Sequence, residues 1–113
     1  MLFRSFNYGA RSEIVDAVKL VHQKITEGKL SVDDVDEKTF GSYLYTKDDS
    51  EVDFLIRTSG EMRISNFLLW QVSYAEFYFT PKYWPEFTVE EFHKALKDFS
   101  SRDRRYGGIL SGV

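Results

Sequence analysis

The sequence predicts an α/β fold built on a mainly parallel sheet. Three observations carry this. Apolar residues recur at helical spacing near both ends of the chain. Two short runs rich in aromatic and aliphatic residues lie between them and read as strands. Helical and strand-like segments alternate. The run Phe54-Leu55-Ile56 is continuous rather than alternating, as in a strand covered on both faces. About three strands are available for such a sheet, which leaves it under-filled, because a covered central strand needs neighbours on both sides.

Each element has its own signal. Residues 2–8 read as a short strand entering a turn at Gly9 and Ala10. A helix follows, because Ile14, Val18, Val21 and Ile25 recur at +4, +7 and +11 and share one face. Gly28 stops it. Residues 31–35 form a polar connection, and Asp36 N-caps a short helix that buries Phe40, Tyr43 and Leu44. Residues 47–51 form an acidic loop, residues 52–57 a strand and residues 58–65 a loop. Residues 66–74 are expected to be helical and residues 77–80 a further strand. Pro81 and Pro85 punctuate the loop around Tyr83 and Trp84. Thr88-Val89-Glu90-Glu91 is a capping box, opening a last helix with the face Val89, Phe92, Leu96 and Phe99. A basic tail, Arg102-Asp103-Arg104-Arg105-Tyr106-Gly107-Gly108, comes after it.

Composition excludes several function classes. A chain of 113 residues that is 42% hydrophobic and 17% aromatic supports a core and is not disordered. Charges break every apolar run well short of the ~20 residues a membrane span needs. No basic-then-apolar leader opens the sequence. With no cysteine, disulfides and thiolate metal sites are excluded. The net charge of −3 comes from residues 47–53, which hold four acids and one lysine; the remainder is neutral. Global charge therefore points to neither nucleic acid nor membrane. The aromatics are not interleaved with a basic patch, so no nucleic-acid partner is expected. The expected location is the cytoplasm, with peripheral association at a membrane as a further expectation.

Ligands of open α/β sheets bind beyond the carboxyl ends of the strands. Arg57-Thr58-Ser59-Gly60-Glu61-Met62-Arg63-Ile64-Ser65 falls there. Guanidinium forks match phosphate oxygens, and hydroxyls with free amides complete an anion cradle. The segment reads as a phosphate or diphosphate pocket, or as a surface loop whose arginines pair with Glu61. Glu76 stands in an aromatic stretch and, if packed, needs a cation: an arginine, or a hard ion such as Mg²⁺. Asn7-Tyr8-Gly9-Ala10-Arg11 opens a helix, either as a tight turn or as an anion-binding N-terminus. His22 and His93 lack ligand spacing and read as structural. The arginines of the tail suit the last helix dipole.

The run Asp53-Phe54-Leu55-Ile56-Arg57-Thr58-Ser59-Gly60-Glu61-Met62-Arg63-Ile64-Ser65-Asn66-Phe67-Leu68-Leu69-Trp70-Gln71 continues through Tyr74-Ala75-Glu76-Phe77-Tyr78-Phe79-Thr80 and Trp84-Pro85. Together these resemble the C-terminal half of the cis-prenyltransferases, the family of undecaprenyl diphosphate synthase. Asn7-Tyr8-Gly9-Ala10-Arg11 resembles the family's Asn-Tyr-Gly-Gly-Arg turn, with Ala10 in place of the second Gly. Arg104-Arg105-Tyr106-Gly107-Gly108 resembles its Arg-rich, Gly-ending motif. The likeness runs in order from about Phe3 to Gly108.

The resemblance implies a transferase that condenses isopentenyl diphosphate onto an allylic diphosphate such as farnesyl diphosphate, with a new cis double bond. It implies that Arg57, Arg63 and Ser65 bind the diphosphate of isopentenyl diphosphate and that Glu61 orders their loop. It implies Glu76 as a Mg²⁺ ligand, and Arg105 and Gly107 as a tail that crosses a homodimer interface. The family's Asp-Gly-Asn-x-Arg-Trp-Ala motif, with its catalytic aspartate, and its Phe-Ser-x-Glu-Asn segment are not in the sequence. Met62 stands where some members have a His, and a thioether is a poor ligand for a hard cation.

The expectation is thus a single partial domain, residues 1–113, without a catalytic residue of its own and inactive alone. It would work in a homodimer or with the missing N-terminal half. A non-catalytic dimerising subunit is the alternative, and a generic anion-binding module the third reading.

Overall fold

The computed structural model of the chain describes residues 8–49 and 51–102. They divide between two units, one drawn from Met1–Glu51 and Ser65–Gln71, the other from Val52–Ile64 and Val72–Val113.

In the first unit, Ala10–Thr26 forms helix α1. Its N-cap, Gly9, is extended and offers no side-chain acceptor. The acceptors come from far along the chain: Ala10 N donates to the Asn66 carbonyl at 2.9 Å, and Arg11 N donates to Asn66 Oδ1 at 3.0 Å. A Cβ on Gly9 would lie 2.8 Å from Asn66 Nδ2, so this close approach requires glycine. The fully buried residues of α1 are Ala10, Glu13 and Ala17; of the expected face, Ile14, Val21 and Ile25 are half-buried and Val18 is 54% exposed. Both stripes have helical spacing. The deepest burial goes to the one whose small alanines admit close packing and whose carboxylate finds donors, with the expected face at its side.

Residues 31–35 contain a 3₁₀ turn, Val32–Asp34. Helix α2, Glu37–Gly41, starts where Asp36 Oδ1 accepts from Thr39 N at 2.7 Å, the expected cap. Leu44 is buried, and the Phe40 ring packs on Trp70 with centroids 4.8 Å apart.

The helix expected over residues 66–74 does not form. Ser65, Asn66 and Leu68 take φ of +53°, +61° and +47°. Left-handed residues interrupt a right-handed helix, since each places Cβ against the following carbonyl. The tie from Asn66 to α1 outweighs the local helical pattern.

In the second unit, β1 (Phe54–Arg57) and β2 (Glu76–Phe79) pair in parallel, from Phe54 opposite Glu76 to Arg57 opposite Phe79. Every residue of both strands is half-buried, without inside–outside alternation, as the continuous apolar run predicts. The strand expected over residues 2–8 lies, except for Tyr8, outside the described residues.

Helix α3, Val89–Ser100, begins with the expected cap, Thr88 Oγ1 accepting from Glu91 N at 3.3 Å. Its Phe99 stacks on Phe54 at 4.7 Å, and Ala95 is fully buried. The expected face is only partly used: Val89, Phe92 and Leu96 are 70%, 42% and 39% exposed. Among the described residues no helix is long and apolar enough to cross a membrane.

Candidate functional site

β1 ends at Arg57, and its chain direction delivers the next residues to the carboxyl end of the parallel pair. Ser59 and Gly60 turn the chain with φ of +65° and +71°. This turn is tied to the segment leaving β2: Ser59 N donates to Lys82 O at 2.8 Å and Gly60 N to Thr80 O at 2.9 Å. Thr80, 4% exposed, extends the ladder by donating its N–H to Arg57 O at 3.0 Å. A left-handed serine costs energy that the two cross-bonds offset. The loop is therefore held where open α/β sheets bind ligands.

On this loop Glu61 and Arg63 are brought together. Arg63 Nε and one terminal nitrogen both reach Glu61 Oε2, at 2.7 and 2.5 Å. Arg63 is 71% exposed, so the pair contributes little to stability and its guanidinium is open to a competing anion. Met62 is 76% exposed. Arg57 and Thr58 are half-buried. Ser65 is exposed and belongs to the first unit, next to Asn66.

Glu76 opens β2, its N–H donating to Asp53 O at 2.9 Å. Its Oε2 accepts from Arg102 at 3.3 Å. The same guanidinium donates to Phe77 O at 2.5 Å and to Asp98 Oδ2 at 2.5 Å. Arg102 directly follows α3 and its C-cap, where a cation is favoured by the helix dipole. Of the two kinds of cation that could face Glu76, the described residues supply the arginine. Arg105 and Gly107 lie outside the described residues.

The helix-opening turn behaves as a turn. The first two amides of α1 are taken by Asn66, so they are not offered to an anion. His22 and His93 are exposed. Among the described residues no three His, Cys, Asp or Glu side chains gather into a metal cluster.

Sequence reasoning missed a polar centre in the first unit. Glu13, 1% exposed, accepts from Tyr8 Oη at 2.5 Å, from Tyr45 N at 2.8 Å and, through both oxygens, from Gln71 Nε2 at 3.2 Å. Gln71 also donates to Thr46 Oγ1 at 3.3 Å. Burial first, and then the Glu13 carboxylate, push the Tyr8 hydroxyl far above the usual tyrosine range. Tyr45 Oη donates to Asp16, which raises its pKa as well. The available signal was Ala10, Glu13 and Ala17 at +3 and +7, a stripe that a charge at its centre disguised.

A family model described as "Putative undecaprenyl diphosphate synthase" matches residues 1–107. The chain belongs to this prenyltransferase family. Among its curated relatives, the isoprenyl transferase of Geobacter sulfurreducens is 53% identical over 107 residues, 95% of this chain and 44% of the relative. That of Bacillus subtilis is 50% identical over 105 residues, 93% of this chain and 40% of the relative. The chain thus spans less than half the length of these prenyltransferases. The fold agrees with solved structures of the family. Lavandulyl diphosphate synthase from Lavandula x intermedia, in complex with dimethylallyl diphosphate, matches with a TM-score of 0.81 and 43% identity, over 88% of this chain and 43% of that one. "A probable undecaprenyl diphosphate synthase" from Campylobacter jejuni matches with a TM-score of 0.73 and 38% identity, over 90% of this chain and 45% of that one. The mixed helix and parallel-sheet architecture is the cis-prenyltransferase one, of which this chain represents a part.

Proposed function

We propose that the chain provides the isopentenyl diphosphate half-site of a cis-prenyltransferase. The observation that carries this reading is the loop after β1. In a member of this family, it presents Arg57 and Arg63 at the carboxyl end of a parallel pair and is tied by Ser59 and Gly60 to the exit of β2. Two guanidinium groups supply bidentate donors to a diphosphate, and the Ser65 hydroxyl a further one. Holding one diphosphate still supplies the proximity that a two-substrate condensation needs. Glu61 holds the Arg63 guanidinium through a single oxygen, Oε2, until the anion arrives.

Mg²⁺ is commonly bound by one or two carboxylates together with substrate phosphate oxygens and water. Glu76 fits that donor set: a hard oxygen ligand, half-buried, already facing a cation, Arg102. Bound there, the ion would neutralise diphosphate charge. Arg105 and Gly107 are proposed to act across a homodimer interface, and the sequence contains no Asp-Gly-Asn-x-Arg-Trp-Ala motif to supply the catalytic aspartate. The chain alone is therefore expected to make no long-chain product from isopentenyl and farnesyl diphosphates with Mg²⁺.

Calorimetric titration tests the half-site. Isopentenyl diphosphate should bind the chain more tightly than ATP does, and Arg57→Ala should abolish that binding while leaving the circular dichroism spectrum unchanged. Tighter binding of ATP would favour a generic anion-binding module instead.

A further inference from the structure

The proposed half-site uses Ser65, but the backbone that presents Ser65 is held from elsewhere. Ser65 and Asn66 are consecutive left-handed residues, at φ +53° and +61°. Asparagine tolerates this conformation better than most residues; serine does not share that advantage. Local sequence therefore does not hold Ser65 in place. Asn66 does so through α1. Its carbonyl accepts from Ala10 N at 2.9 Å and its Oδ1 accepts from Arg11 N at 3.0 Å. Gly9 leaves the space its side chain occupies, a space a Cβ at 2.8 Å would fill. Two acceptors on one residue thus satisfy the first two orphan amides of a 17-residue helix. The longest helix of the first unit becomes a fixed mount for the residue beside Asn66.

We infer that Asn66 is a positioning residue for diphosphate binding: by capping α1 with both its main chain and its side chain, it fixes the orientation of Ser65. This rests on the reading of Ser65 as a diphosphate ligand. Asn66 itself need not touch the anion.

The test is a double-mutant cycle on isopentenyl diphosphate affinity, measured by calorimetry. Ser65→Ala and Asn66→Ala should each weaken binding about tenfold, the loss of one hydrogen bond to a charged group. The double variant should bind no more weakly than the single ones, because Asn66 acts through Ser65. Asp36→Ala removes the side-chain cap of α2 and serves as the structural control; it should leave affinity unchanged. Hydrogen exchange gives a readout independent of ligand: the Arg11 amide, whose acceptor is the Asn66 side chain, should exchange faster in Asn66→Ala. Should that variant unfold, Asn66→Gly tolerates the left-handed backbone, keeps the main-chain acceptor while losing the carboxamide, and carries the same cycle. Full affinity in the Asn66 variant, or additive losses in the double variant, would overturn the inference while the half-site reading stands. Absence of binding by the unaltered chain would overturn the half-site reading, and this inference with it.

Discussion

Two carboxylates show how differently the two regions use the same chemical group. Glu13 is 1% exposed and is satisfied by neutral donors: a phenol, a backbone amide and a carboxamide. Glu76 retains 26% side-chain exposure and meets a guanidinium that is itself shared with Asp98 and the Phe77 carbonyl. Donors arranged from three separate segments cannot move without opening the first unit. The arginine facing Glu76 is a charged partner on a carboxylate that keeps access to water. The first arrangement belongs to structure. The second suits a site whose charge balance changes when a ligand arrives.

The contrast can be broken by substitution. Glu13→Ala removes the acceptor shared by the buried Gln71 carboxamide and the part-buried Tyr8 hydroxyl and Tyr45 amide, and should lower unfolding stability by about 3 kcal/mol, read as a lower thermal midpoint. Arg102→Ala should cost less, about 1 kcal/mol, because Glu76 keeps access to water. Equal losses would erase the distinction. A smaller effect separates the regions by pH. The folded state raises the Tyr8 pKa above its ordinary value of 10.0, so the neutral phenol is favoured by folding. Its contribution is complete below pH 10, the unfolded value, and declines as pH rises above it. Tyr8→Phe should therefore flatten the alkaline limb of the stability profile.

Much of the second region was legible in the sequence. A continuous apolar run marked β1, the Thr88–Glu91 spacing marked the start of α3, and arginines beyond a strand end marked the loop. These signals are local. The first region hid its features because they depend on residues far apart. Asn66 meets Ala10 and Arg11, and Gln71 meets Glu13, across more than fifty positions. No periodicity within residues 66–74 reports that Asn66 and Leu68 must be left-handed, and a glutamate on a helix reads as solvent-facing until its donors are known. The last helix was legible in its cap and spacing but not in its burial: Phe92 and Leu96 keep the expected spacing yet stay exposed among the described residues.

If the second region serves diphosphate chemistry, Glu76 must matter to ligand binding rather than to folding alone. The most direct measurement is the affinity of the chain for isopentenyl diphosphate with and without Mg²⁺, compared with Glu76→Gln. Mg²⁺ should tighten binding to the unaltered chain and leave the Glu76→Gln affinity unchanged. An equal gain from Mg²⁺ in both proteins would contradict a metal-binding role for Glu76.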